Sequence, residues 1–419
     1  MSSEWRNVIL LSADALRADH LSCYGYSRKT SPILDELAEE SLQFMNAYSA
    51  SSHTREAVPA LLTGEYPDVA VDSGYNLAAE TVASILSDEG YATAGFHSNP
   101  FVSRAYGFDQ GFDHFDDDLH LGQHKLIALA QRAVDKLRNR HYARAEEINE
   151  RSLVWVDSLD EDEPFFLWNH YMDTHGPYEP LGEYATLYSD TRLSGRDAQS
   201  LYQRAIDEPG SITESERQFL VDMYDGEIRY NDAKIGEFLD ALRKRELLEE
   251  SLLIVTADHG DAFGEHGYYE HPRYLYDELT HVPLLVRPPG GASEVVDAPT
   301  STLDVAATIE DAVRENRSDG TSLFDVSDDR RVFSQTRGED EHSHIRRYAV
   351  RTSEGCCFCE RDTELGGIEF VEPSDRSLRT ELEAHIEARV RVENGDANVG
   401  DGKINEEIER RLSALGYTE

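Results

Sequence analysis

Lysine is nearly missing from this 419-residue chain: six of its 40 basic residues are Lys, against 82 Asp and Glu. A protein that grips nucleic acid needs a Lys/Arg stripe to neutralise phosphates, and none is present, so nucleic acid is excluded as a partner. Cysteine is scarce too. Of the four, Cys23 stands alone and Cys356, Cys357 and Cys359 crowd into one stretch. Cys-Cys-Phe-Cys lacks the paired spacing of a zinc site and reads as plain strand residues on alternating faces. No apolar run approaches the roughly 18 residues a membrane-spanning helix needs. The opening Met1-Ser2-Ser3-Glu4-Trp5-Arg6 has neither a basic leader nor an apolar segment, so the expectation is a soluble, cytoplasmic protein.

What the chain has in excess is negative charge, a formal net of -42. Such charge can mean disorder, but 21 Tyr, 15 Phe and recurrent apolar runs indicate a packed core. Self-repulsion is tolerable where salt screens it, since the Debye length falls to about 3 Å at 1 M. A carboxylate-coated, salt-adapted (halophilic) protein is expected.

Two apolar runs end in an acid: Asn7-Val8-Ile9-Leu10-Leu11-Ser12-Ala13-Asp14, and Leu252-Leu253-Ile254-Val255-Thr256-Ala257-Asp258-His259-Gly260. Each reads as a buried strand of a parallel or mixed sheet. Ligands collect at the carboxyl ends of such strands, which predicts a divalent-metal site at Asp14, Asp258 and His259. Either acid alone would equally suit an Asx-turn or helix cap. Helices are predicted from Pro32, capped by Ser31, and over 80–89 before Gly90. Further strands are predicted at Tyr91–Phe96 and Pro164–His170, and further helices within 119–160, near 303–315 and from Phe219 to about Leu247. Residues 179–215 are polar and are expected to form a surface excursion. A strand-rich then helical unit begins at Arg331. This βαβ rhythm predicts an α/β sandwich, a central mixed sheet flanked by helices, over 1–325, with a small α+β C-terminal subdomain over 331–419.

Between the acid-tipped strands, Ser51-Ser52-His53-Thr54-Arg55-Glu56-Ala57-Val58-Pro59-Ala60-Leu61-Leu62-Thr63-Gly64 places hydroxyls at the start of a short apolar helix. There the free backbone N–H groups and the positive dipole end stabilise an incoming anion. A nearby divalent cation would lower the hydroxyl's pKa. The alternative is that Thr54 only caps the helix.

With these runs in order, the chain resembles the sulfatases of the alkaline phosphatase superfamily. The resemblance is carried by Val8 to Asp19 with Cys23-Tyr24-Gly25-Tyr26, by Leu61-Leu62-Thr63-Gly64-Glu65-Tyr66-Pro67, and by Met172-Asp173-Thr174-His175-Gly176-Pro177-Tyr178. Tyr224 to Tyr230, Thr256 to Gly260, Gly264 to Gly267, Leu275 to Leu284, Thr302 to Ile309 and Leu412 to Tyr417 extend it over nearly the whole length. It implies Asp14, Asp258 and His259 as metal ligands, completed by the residue at the nucleophile position. It also implies His175 beside the ester's leaving oxygen, with Asp173 in register, and His271 where many relatives place a substrate-binding lysine. Arg17 and Arg55 are further candidates for contact with the bound anion.

The departures are as informative. Sulfatases in the strict sense carry Cys or Ser opening a Cys/Ser-x-Pro-x-Arg motif, oxidised to formylglycine. Here Thr54 holds that position, with Glu56 for Pro and Val58 for Arg. Thr cannot yield the aldehyde, because its β-carbon carries a methyl group. Relatives with Thr here resemble phosphodiesterases, phosphomutases and phospho-transferases that pass through phosphothreonine. The expectation is therefore a metal-dependent hydrolase of small anionic esters, phosphate favoured over sulfate, with one divalent ion (Ca, Mg, Mn or Zn) rather than two. A phospho- or sulfo-transferase on glycan or lipid head groups and a non-catalytic binding relative are the rivals. The sequence is silent on oligomeric state.

Overall fold

The computed structural model describes residues 5–118, 142–311, 313–314, 318–372 and 374–393. The predicted helices within 119–141 and the closing Leu412–Tyr417 run lie outside them. In chain order the strands are β1 Asn7–Ala13, β2 Leu42–Phe44, β3 Ala47–Tyr48, β4 Ala92–Phe96, β5 His114–Asp116, β6 Phe165–Tyr171, β7 Ser251–Ala257 and β8 Ala262–Phe263. There follow β9 Tyr269–Glu270, β10 Leu284–Arg287, β11 Glu294–Val296, β12 Thr300–Ser301, β13 Val332–Arg337, β14 Ile345–Arg351, β15 Cys356–Asp362 and β16 Ile368–Val371.

Eight strands form the main sheet in the order β11-β2-β10-β7-β1-β6-β4-β5. The centre is parallel and β10 runs antiparallel, so the sheet is mixed, as expected. Because side chains alternate, the apolar runs must be covered on both faces. Ile9 and Leu11 of β1 pack with the helices Ala145–Val156 and Glu214–Lys244 on one side. Val8 and Leu10 pack with the helices Thr54–Thr63, Val82–Asp88 and Leu303–Asp311 on the other.

The 31-residue helix Glu214–Lys244 opens with a capping box, Thr213 and Glu216. It buries Ile228, Ile235, Leu239 and Leu242, the face predicted from their spacing. Residues 179–215 are more structured than their polarity suggested. They contain a helix, Gly195–Asp207, whose Leu201, Tyr202 and Ala205 are buried. Only three apolar anchors suffice there, too few for a periodicity to stand out.

Beyond residue 331, β13 to β16 form a four-stranded antiparallel sheet, with the helix Arg379–Glu393 packed on it through Leu382 and Ile386. Cys357 and Cys359 are buried in that small core, and all four cysteines are free thiols. No described helix is long and apolar enough to cross a membrane.

Candidate active site

Register brings the two acids together. Ala13 of β1 lies opposite Ala257 of β7 and Tyr171 of β6, so the residues after all three strands emerge side by side. Asp14 N–H donates to Tyr171 O (2.8 Å) and Asp258 N–H to Ala13 O (3.2 Å), which extends the ladder one residue past the strands. Gly260 then turns the chain where no side chain fits: a Cβ there would lie 2.1 Å from Glu278 O. The His259 ring hydrogen-bonds Gly260 O through Nδ1 (2.8 Å). A carbonyl only accepts, so Nδ1 carries the proton and Nε2 presents its lone pair to the acids.

Asp14, Asp258 and His259 offer three ligand atoms within 4.8 Å of one another, all fully buried. Their hydrogen bonds leave one orphan oxygen on each acid. Asp258 Oδ1 accepts from Ala15 N–H (3.2 Å) and His259 N–H (2.8 Å), and Oδ2 has no partner. Asp14 Oδ2 accepts from the Asn99 amide (2.5 Å) and faces His170 Nε2 at 3.4 Å, and Oδ1 has no partner. The free oxygens, Asp14 Oδ1 and Asp258 Oδ2, each lie 3.6 Å from His259 Nε2. Two orphaned, buried carboxylate oxygens converging on an imidazole lone pair fit a divalent cation.

The charges respond to this crowding. Burial opposes ionisation of Asp14, but His175, His170 and His259 outweigh it and hold its pKa well below the carboxylate range. Burial and the Asp14 charge push Asp258 up. Burial also lowers His271 to about 4 and His53 well below its usual value.

Thr54 is the first residue of its helix, but it is not the cap. His53 is: its extended backbone precedes the helix and its Nδ1 accepts from Arg55 N–H (3.2 Å). The Thr54 hydroxyl is thereby left to the acids, 3.1 Å from His259 Nε2 and 3.5 Å from Asp14 Oδ2. His175, His271 and His259 line one wall, with ring centroids 5.1 Å apart for the first pair and 4.7 Å for the second. The His175 ring hydrogen-bonds Gly176 O through Nδ1 (2.6 Å), leaving Nε2 as its other nitrogen.

Two of the expected substrate-site residues, Arg17 and Asp173, are engaged elsewhere. Arg17 is buried between Asp19 (2.8 Å) and Glu265 (2.6 Å) and donates to Asp261 O, the pattern of a structural arginine. Asp173 is fully buried, ion-paired to Arg144 (2.7 Å) and capping Ala145 N–H (2.9 Å). It secures the His175 loop from below. Arg55 is half-buried, its guanidinium over the Phe101 ring at 4.1 Å. Val58, where the resemblance expects Arg, is core: it packs with Leu61 and Leu62.

Sequence reasoning missed Asn99 and His170. Asn99 follows β4, and its position just past a strand's carboxyl end was the available signal. His170 lies within β6, paired in register with Ser12, and its Nδ1 meets Ser12 Oγ at 2.9 Å. A histidine inside an apolar strand carries no such signal.

The mixed sheet carrying this cluster at its carboxyl edge has the alkaline-phosphatase-like α/β fold, and homology makes the protein a hydrolase acting on sulfate or phosphate ester bonds. The Sulfatase family model matches residues 6–314, and the chain belongs to the sulfatase family, whose members are metal-dependent. It is 26% identical over 375 residues to the uncharacterized sulfatase YidJ of Escherichia coli, covering 80% of this chain and 74% of that protein. It is 24% identical to the arylsulfatase of Clostridium perfringens, covering 80% of this chain and 81% of that one. Among solved structures, a phosphonate monoester hydrolase from Silicibacter pomeroyi superposes with a TM-score of 0.67 at 21% identity, over 96% of this chain and 98% of that one.

Proposed function

We propose that the protein hydrolyses phosphate mono- or diesters with Thr54 as nucleophile. The observation that carries this is the Thr54 hydroxyl, 3.1 Å from His259 Nε2 at the edge of the acid pair. A divalent cation held by Asp14, Thr54, Asp258 and His259 would lower the hydroxyl's pKa and neutralise the ester's oxygens. An imidazole among so few donors suits manganese or zinc better than calcium, which takes about six to eight oxygens. The described residues offer one such cluster, in keeping with a single ion.

In line, the Thr54 hydroxyl oxygen, its proton lost to solvent, forms its bond to phosphorus as the bond to the leaving oxygen breaks. His175, as imidazolium, gives its Nε2 proton to that oxygen. Water then attacks the phosphothreonine, the neutral His175 takes the water's proton, and the bond from phosphorus to the Thr54 oxygen breaks as phosphate leaves. Phosphate is favoured because Thr, unlike formylglycine, cannot shed a sulfate by collapse to an aldehyde. The mechanism needs no acceptor other than water.

The test compares wild type with Thr54→Ala in molar KCl on 4-nitrophenyl phosphate, bis(4-nitrophenyl) phosphate and 4-nitrophenyl sulfate, with Mn, Mg, Ca and Zn each added. We expect phosphoester turnover to exceed sulfate turnover and to fall by about 10³-fold or more in Thr54→Ala. Undiminished activity in Thr54→Ala refutes the nucleophile; faster sulfate turnover refutes the phosphoester preference.

A further inference from the structure

In a chain of net charge -42, the ionised groups around one ring at the site's rim lean positive. That ring is Tyr75. The guanidinium carbons of Arg55, Arg273 and Arg337 lie 5.2, 5.7 and 5.3 Å from its centroid. Facing them are two carboxylates. Glu56 is fully buried and takes Arg273 (3.1 Å), Arg337 (3.4 Å) and the Thr336 hydroxyl (2.8 Å). Glu339, which follows β13 in the C-terminal sheet, pairs with the other arm of Arg273. Arg273 and Arg337 are thereby neutralised. Arg55 is not: among the described residues it makes no ion pair, and its Nε is buried without a hydrogen-bond partner.

Arg55 is also held in place. Its guanidinium lies over Phe101 at 4.1 Å as well as Tyr75, and Tyr75 sits at φ 61°, a left-handed conformation that a bulky residue adopts only when its surroundings impose it. Arg55 acts on Glu339, whose carboxyl Arg273, Arg55 and His271 together hold below its usual range against its burial.

We infer that Arg55, stacked between Phe101 and Tyr75, binds a second anionic group of the substrate, so that acidic esters are the preferred class. This rests on the ester-hydrolase reading and deepens it. Glu339 stands at the edge of the same subsite and opposes a second anion there, so the C-terminal unit tunes the preference set by Arg55.

Binding is measured by calorimetry with phenyl phosphate and 3-carboxyphenyl phosphate, with saturating Mn²⁺ and in a Thr54→Ala background so that neither ester is consumed. The carboxylated ester should bind about tenfold tighter, the worth of one charge-assisted contact. That ratio should fall to near one with Arg55→Met, stay above one with Arg55→Lys, and rise with Glu339→Gln. A ratio near one with Arg55 present, a ratio that survives Arg55→Met, or failure of the carboxylated ester to bind overturns the inference. Turnover of neither ester by the wild type overturns the hydrolase reading instead, independently of the binding ratio.

Discussion

Replacing Arg144 by Met removes the only cation from a buried triad. Arg144 Nε pairs with Asp173 (2.7 Å), and Nη2 pairs with Glu227 (2.5 Å). Both carboxylates are fully buried, while the arginine side chain is 14% exposed. One oxygen of Glu227 also accepts Glu179 N–H (2.9 Å), so the triad ties the segment bearing His175 to the long helix and to the helix Ala145–Val156. Breaking a buried pair by deleting one partner costs about 3–5 kcal/mol, because the remaining charge is stranded. Here two charges are stranded, so the upper part of that range applies at pH 8.

The loss should shrink in acid. Burial already raises Glu227 to about 7, against the pull of Arg144, and raises Asp173 as well. A carboxyl raised by folding contributes most below its unfolded value, near 4.5, and loses that contribution as pH climbs through 7. Without the guanidinium both acids rise further, and the penalty continues to grow above pH 7. Urea denaturation followed by tryptophan fluorescence should therefore give a destabilisation of about 4 kcal/mol at pH 8 and less than half of that at pH 5. A loss under about 1 kcal/mol, or one independent of pH, would refute the reasoning.

The other expectations concern packing and charge. His385 is stacked on Phe333 (centroids 4.2 Å) and lowered by burial to about 3, so stability present above pH 6.5 should drain away as pH falls from 6.5 toward 3. His385→Phe should recover roughly 2–3 kcal/mol at pH 4.5, and an unchanged acid limb in its pH–stability profile would count against this. Gly64→Ala should destabilise by about 1–2 kcal/mol in thermal melts, since φ is 71° and the new Cβ would lie 2.6 Å from Ser318 Cβ. Raising KCl from about 0.1 to 2 M should raise the urea midpoint by screening the net charge of -42, and a salt-independent midpoint would remove the case for salt adaptation.

How much was legible depended on whether a signal was local. The acid-tipped strands were readable because a strand buried on both faces needs an unbroken apolar run, and the polar residue that ends it is conspicuous. The helix Gly195–Asp207 was not, because three buried residues supply its whole packing face. Arg17 looked like an anion contact by sequence position alone, and only the fold shows Glu265, 248 residues away, already on its guanidinium.

The same division holds at the site. The sequence by itself determined the donors: two acids and an imidazole at strand ends, and a hydroxyl at a helix start. It also determined that the hydroxyl at this helix start is threonine, whose β-carbon carries a methyl group. Tertiary structure alone decided how those donors face. Parallel register set Asp14 beside Asp258, and His53, by taking the cap, left Thr54 to the acids. Asn99 and the backbone amides at 15 and 259 each claim one carboxylate oxygen and leave the other bare. Asn99 and Ala15 lie 85 and 243 residues from the acids they serve. Hydrogen-bond saturation of a buried acid is a property of its neighbours in space, and no local pattern carries it.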